Sequence, residues 1–395
     1  KRMQGNVEGG VLMVFDRRDF EVLRLCGFCR YLPTVTCRKY DSPFFLVAEF
    51  RLLQERNLIK KVSDNSSYKL TYTGREVLDE MGYTYPKDAR LDLKRPSYHR
   101  KLRNSMWNVV LFLAGIDIYA DSVRTLAGKE VGYISSMVLR TDDNMKALAG
   151  TRFLGILKMQ DIVYVPYYLS NAEEWIIPGY ERELYTNEIN QLRSVREIQL
   201  ILFGNSVEEL WEVISPERQS EKLPHGMRCF DRALEELGSE YLLVPQTQSG
   251  VLQMSVLKIR SYRQRLAAAI GCIPKTRDDM NECDGTINGV PYIIGIDMNI
   301  KRIIRAIYQI KKHDSTLVPQ ICCFSFQKEV ILKMFKRYNL ENCAAVSINM
   351  KSMKDVFPEI NTEAKMSEPY VTKEGRYVDA TERKVKKSVI EVSET

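Results

Sequence analysis

The chain has 395 residues, 45% of them hydrophobic and 28% charged, which is too apolar for a disordered polymer. No apolar run approaches the roughly 20 residues of a membrane helix, and Lys1–Gly10 has no signal-peptide core; the expectation is a soluble, cytoplasmic protein of about two or three domains. Residues 1–103 hold 21 Lys and Arg against 13 Asp and Glu, so they carry +8 while the remainder carries −1. Such asymmetry points the first quarter of the chain at an anionic partner, with nucleic acid the first candidate and a solvated basic face the bland reading.

After an N-terminal extension, 1–16, residues 17–85 predict a winged helix-turn-helix. Phe20, Leu23, Leu25 and Phe28 repeat at close to a helical period. Pro33-Thr34 breaks the chain before a short second helix ending at Lys39. Asp41 or Ser42 followed by Pro43 predicts the cap and first residue of a third helix carrying Leu46, Phe50 and Leu53 on one face, with Asn57 as its stop. Leu58–Val62 and Tyr68–Thr71 flank a polar turn and read as a hairpin. Thr73 with Glu76 then predicts a capping box for a closing helix.

Such a fold places its third helix in the major groove of duplex DNA. The outward positions of that helix are Phe44, Ala48, Arg51, Leu52 and Glu55, so Arg51 is the best base-reading side chain. Other candidate nucleic-acid contacts are Arg38, Lys39, Ser42, Arg56, Lys60, Lys61, Lys69 and Arg75 around the helix and hairpin. Lys94, Arg95, Arg100 and Lys101 add to them from a basic linker, 86–103. Flanking basic residues favour phosphate contacts, which position a protein without reading sequence. A protein-binding face using Phe44, Phe45 and Leu52 stays open beside this, as does an ordinary solvated connector for the linker.

Residues 104–360 predict a larger mixed α/β domain, making the whole α+β. A long helix is expected from Tyr98 to about Ala127. Two stretches, 152–215 and 285–340, share the order strand, strand, helix, strand, helix, which suggests two pseudo-repeated lobes. Between them, Tyr241–Val244 and Val251–Leu257 predict another hairpin. The polar tail 361–395 predicts a segment disordered on its own, held by another subunit if by anything, so a homo-oligomer is a candidate.

Catalytic patterns are sparse. The three histidines, His99, His225 and His313, form no H-x-H or H-E-x-x-H pair, and no glycine-rich phosphate loop is present. The nine cysteines are scattered rather than arranged as a secreted disulfide framework. Cys26-x-x-Cys29 with Cys37 is a partial metal pattern, but its place on an amphipathic helix favours core thiols. Asp284 before one strand and Asp297 after the next have the spacing of a Mg²⁺-dependent nuclease of restriction-endonuclease type. However, Asn299 stands where that chemistry places lysine, and Lys301 lies two residues on. Turn and helix-cap roles explain both aspartates equally well, so no metal or cofactor is expected unless that reading holds.

The stretches Leu58-Ile59-Lys60-Lys61, Leu70-Thr71-Tyr72-Thr73-Gly74-Arg75 and Trp107-Asn108 resemble the replication-relaxation family of plasmids and integrative or conjugative elements. So do Arg152–Leu157, Asp161–Tyr167 and Ile201–Ser206. The resemblance runs over residues 17 to 350 in short motifs. It implies a winged helix fused to a degenerate restriction-endonuclease-like domain, acting in replication, transfer or copy control of a mobile element. The expected function is DNA binding without catalysis, with double-stranded DNA and replication or transfer proteins as partners and no membrane. The alternatives are a nuclease or nickase using Asp284 and Asp297, and a protein-interaction scaffold.

Overall fold

The computed structural model of the protein describes residues 17–80, 82, 83, 85, 86, 96–140, 148, 150–170, 175, 176, 181, 184, 188–192, 196–214, 228, 229, 240–274, 283–340, 342–360, 370, 371, 377 and 378. The chain is α+β and divides into two compact units, 1–109 with 362–395, and 110–361.

In the first unit the order is α1 (Arg17–Cys29), β1 (Leu32–Pro33), α2 (Thr36–Lys39), a 3-10 turn (Pro43–Phe45), α3 (Val47–Glu55), β2 (Ile59–Lys61), β3 (Ser67–Leu70), α4 (Tyr72–Glu80) and the start of α5 (Pro96–Leu113). The strands form an antiparallel sheet in the order β1-β3-β2. Strand β1 was not anticipated; two residues are too few to show a period. Phe45, Phe50, Leu53, Leu58 and Tyr68 close the core beneath α1, with the Phe50 and Tyr68 rings 4.7 Å apart.

Two local expectations are corrected here. Pro43 opens the separate 3-10 turn, with Ser42 Oγ accepting from the Phe44 N–H at 3.3 Å, so α3 starts at Val47 and Leu46 is its exposed cap rather than a core residue. Helix α4 is capped by Thr71, not Thr73: the Thr71 hydroxyl accepts from the Gly74 N–H at 3.1 Å and donates to carbonyls of Asn57 and Leu58. That tie to the preceding strand starts the helix two residues early. At the other end of the hairpin, the Tyr98 hydroxyl of α5 meets the Ser66 and Ser67 hydroxyls at 2.5 and 2.8 Å.

In the second unit, α6 (Val123–Ala127), β4 (Val131–Ser135), α7 (Ser136–Leu139), β5 (Gly155–Met159), β6 (Ile162–Tyr168), a two-residue β7 (Trp175–Ile176), β8 (Glu197–Gly204), α8 (Val207–Val213), a two-residue β9 (Arg228–Cys229) and β10 (Glu240–Pro245) come first. The main sheet runs β10-β8-β6-β5-β4, parallel among β10, β8 and β6 and antiparallel beyond. Then follow α9 (Gln248–Leu257), α10 (Tyr262–Ala269), β11 (Gly285–Ile287), β12 (Val290–Ile294), α11 (Ile300–His313), β13 (Gln320–Phe324), α12 (Lys328–Arg337), β14 (Ala344–Ile348) and α13 (Met353–Val356). The second sheet is a hairpin, β11–β12, followed by the parallel strands β13 and β14.

Each sheet thus contains a hairpin whose second strand crosses over to parallel strands. Their inward faces share one core: Leu200, Leu202 and Leu243 from one sheet, Ile293, Ile321 and Cys323 from the other, with Ile303, Ile307 and Ile310 of α11. Alternate residues of β13, Cys322 and Phe324, face the opposite way onto Val256 and Leu266, as a sheet covered on both faces requires.

The expected hairpin over 241–257 is instead strand then helix. Val251 and Gln253–Leu257 are all buried, and an apolar run buried on every side carries no period to tell helix from strand. Gly250 makes the turn possible, since a Cβ there would lie 1.9 Å from the Pro245 carbonyl oxygen. The long helix expected to reach Ala127 stops at Leu113. Gly115 turns left-handed at φ +68°, and the Lys258 ammonium donates to the Ala114 carbonyl at 2.6 Å, satisfying the helix end. Half of the expected 86–103 linker is α5. Where the expected first lobe, 152–215, places its first helix, residues 189–191 form a 3-10 turn and Leu184 is helical, while 182, 183, 185–187 and 193–195 lie outside the described residues. So do the extension 1–16 and, apart from the two-residue pair β15 (Tyr370–Val371) and β16 (Tyr377–Val378), the tail. Among the described residues no helix is long and apolar enough to cross a membrane.

Candidate nucleic-acid interface

The hairpin is where the basic residues meet. In its register Lys60 pairs directly with Lys69, so the two ammonium groups share one face, with Lys60 exposed and Lys69 half-buried. Like charges opposed across a strand pair destabilise it, and a bound polyanion relieves that repulsion. Lys61, on the other face, holds its ammonium 5.8 Å over the Tyr68 ring. The turn carries a counter-charge: the Ser66 hydroxyl and N–H bond the exposed Asp64 carboxylate at 2.6 and 3.0 Å and hold it below the ordinary carboxylate range.

Before the hairpin, Arg38 is exposed on α2, and Lys39 is half-buried, with burial lowering its pKa. On α3, Ala48, Arg51 and Glu55 face solvent. Arg51 Nε lies 3.2 Å from Glu55 Oε1, the two side chains 79% and 63% exposed. Such a pair is worth about 0.3–0.5 kcal/mol and is readily exchanged for a phosphate or base edge. Arg56 is different: it turns inward to Asp19 at 3.7 Å, with that carboxylate 4% exposed. Its partner makes it a structural residue and removes it from the interface.

Arg75 is half-buried on α4 and lines a cavity of about 350 Å³ with Cys26, Arg30, Asp79 and Tyr85. On α5, Arg100 is exposed and Lys101 rests 5.7 Å over the Tyr31 ring. Lys94 and Arg95 lie outside the described residues. Cys26 and Cys29 are buried in α1, and burial pushes the Cys29 thiol up to about 12, as expected of core thiols; the Cys37 side chain lies outside the described ones.

The sequence reading missed an apolar patch. Val35, Leu46 and Val47, at the heads of α2 and α3, are 49%, 48% and 62% exposed. The signal was Pro43, which shifts the helix start and turns Leu46 out of the core.

The second unit does bring Asp284 and Asp297 together, on a side chain that was not anticipated. Arg302 of α11 reaches back between them, Nη2 3.1 Å from Asp297 Oδ1 and Nη1 3.7 Å from Asp284 Oδ2, and also donates to the Ile294 carbonyl. All three are largely buried. Asp284 Oδ2 accepts the Ile294 N–H at 2.7 Å, and the Tyr262 hydroxyl donates to Asp297 Oδ2 at 2.9 Å. Burial raises the Asp284 pKa. At Asp297 burial also opposes the charge, but Arg302 and Arg263 outweigh it and hold the carboxylate below its ordinary range. The guanidinium therefore stands between the two carboxylates, where a nuclease would need its cation. Lys301 is not part of this cluster; its ammonium lies 5.8 Å over the Tyr241 ring. The cap of α11 is Asn299, whose Oδ1 accepts the Arg302 N–H at 3.0 Å.

A second buried carboxylate, Glu181, accepts the Arg152 N–H at 2.7 Å and the Tyr167 hydroxyl at 2.9 Å. Burial pushes its pKa up to about 7.

Comparison with known proteins finds no matching family model, no matching curated protein and no matching solved structure.

Proposed function

We propose that the first unit is a winged helix that grips double-stranded DNA, without catalysis by this chain. The observation that carries the reading is the directly opposed pair Lys60 and Lys69 on the hairpin, where the fold holds two positive charges side by side. The net +8 of residues 1–103 and the exposed Arg38, Arg51 and Lys61 support it. Against a nuclease reading stands Arg302, whose guanidinium sits between Asp284 and Asp297 where a catalytic cation would have to bind. The resemblance to the replication-relaxation family puts this grip to work at the DNA of a mobile element, with the second unit recruiting further subunits or transfer proteins; both belong to the proposal.

The test is a titration of labelled duplex DNA at several salt concentrations. Log affinity is expected to fall with log salt by about 0.9 per phosphate contact, and Lys60→Gln with Lys69→Gln to reduce that slope by about 2. A flat salt response, or a slope unchanged in the double variant, overturns the reading.

A further inference from the structure

We infer that the head of α3 reads thymine methyl groups, so that the ligand of this face is A/T-rich duplex DNA; the inference rests on the duplex-DNA reading above. The core of the unit is closed by Phe45, Phe50 and Leu53, which leaves Leu46, Val47 and Ala48 outside it. Leu46 and Val47, at 48% and 62% exposure, keep in water apolar surface whose burial is favourable.

The pattern of groups decides what such a turn can recognise. Guanine is read by arginine or lysine and adenine by asparagine or glutamine. The first turn of α3 runs Val47, Ala48, Glu49, Phe50 and carries none of these. The one apolar group on the edge of a base pair in the major groove is the thymine C5-methyl, and small apolar side chains are its partners. Arg51, one turn on and paired with the exposed Glu55, adds a donor beside them for a flanking phosphate.

Charge selects a nucleic acid over a protein as occupant. The elements around the patch carry Arg38, Lys39, Lys60, Lys61 and Lys69 against Asp41, Glu49, Glu55 and Asp64, an excess of positive charge complementary to a polyanion. DNA is favoured over RNA because the A-form major groove is too deep and narrow for side chains, and uracil lacks the methyl.

The experiment compares the full chain binding a short A/T-rich duplex, the same duplex with deoxyuridine in place of thymidine, and a G/C-rich duplex of equal length. Deoxyuridine keeps the charge and the hydrogen-bonding edge and removes only the methyl. The expected result is a Kd about fourfold higher for each thymine methyl taken out of the interface. Val47→Ser, at an exposed position, is expected to narrow the difference between the thymidine and deoxyuridine duplexes while leaving the salt slope on both unchanged, since no charge is altered. Equal binding of those two duplexes by the unmodified chain, with the salt slope intact, overturns the methyl reading and leaves the duplex-DNA reading standing. So does a Val47→Ser variant weakened equally on both. Absence of salt-sensitive binding to every duplex brings down both readings and turns the patch toward a protein partner.

Discussion

The hairpin β2–β3 and the Asp284–Asp297–Arg302 cluster use the same kinds of side chain to opposite ends. On the hairpin two lysines of one sign stand directly opposed, Lys60 exposed and Lys69 half-buried, with no ion pair to either among the described residues. In the cluster two carboxylates and a guanidinium are buried together, with Arg263 adding to the field that keeps Asp297 charged. The difference is one of solvent and pairing rather than residue type. An exposed charge without an opposite partner is available for binding, whereas a buried and paired one is committed to the fold.

The largest effect should come from breaking the internal balance. Arg302→Met leaves two carboxylates buried without their cation and is expected to destabilise the protein by about 3–5 kcal/mol in urea unfolding. Asp284→Asn should be milder than Asp297→Asn, because Asp297 sits closer to the guanidinium and also holds Tyr262. A loss below about 1 kcal/mol for Arg302→Met would show the cluster to be solvated, contrary to the comparison.

A second buried charge sharpens the point through pH. Glu181 has its pKa raised from 4.5 to about 7 in the fold, so the native state binds its proton more tightly than the unfolded chain does. Its contribution to stability is full below about pH 4.5 and is lost as pH rises through about 7, a change on the order of 3 kcal/mol. Glu181→Gln should flatten that part of the stability profile, and an identical profile in the variant would contradict the assignment.

The hairpin predicts a change of opposite sign. Lys69→Gln removes the like-charge opposition and should stabilise the free protein by about 0.2–1 kcal/mol while weakening DNA binding. Thermal melts and the salt titration, run on one sample, test both halves. The smallest effect belongs to Arg51→Ala, which should move stability by no more than about 0.5 kcal/mol because its partner is equally exposed.

Legibility in the sequence followed the range of the interactions. The hairpin was readable with its lysines, because a polar turn at Asp64–Ser67 between two short apolar-basic runs is a local signal. Helix α9 was not, since burial on all sides erases its period. Arg56 looked like an interface residue because its partner Asp19 lies on another helix, and no local pattern pairs them. Arg302 was hidden for a related reason: an arginine in an isoleucine-striped helix reads as solvent-facing until the hairpin is folded against it.

The bond from Tyr98 to Ser66 and Ser67 has a consequence for the kinetics and entropy of recognition. A two-stranded hairpin alone is marginal in water, but here β1 adds a third strand beside β3 and Tyr98 holds the turn. The Lys60–Lys69 spacing is then set when the unit folds, so the polyanion proposed to bind there would meet a preformed pair of charges and would not have to order a loose loop.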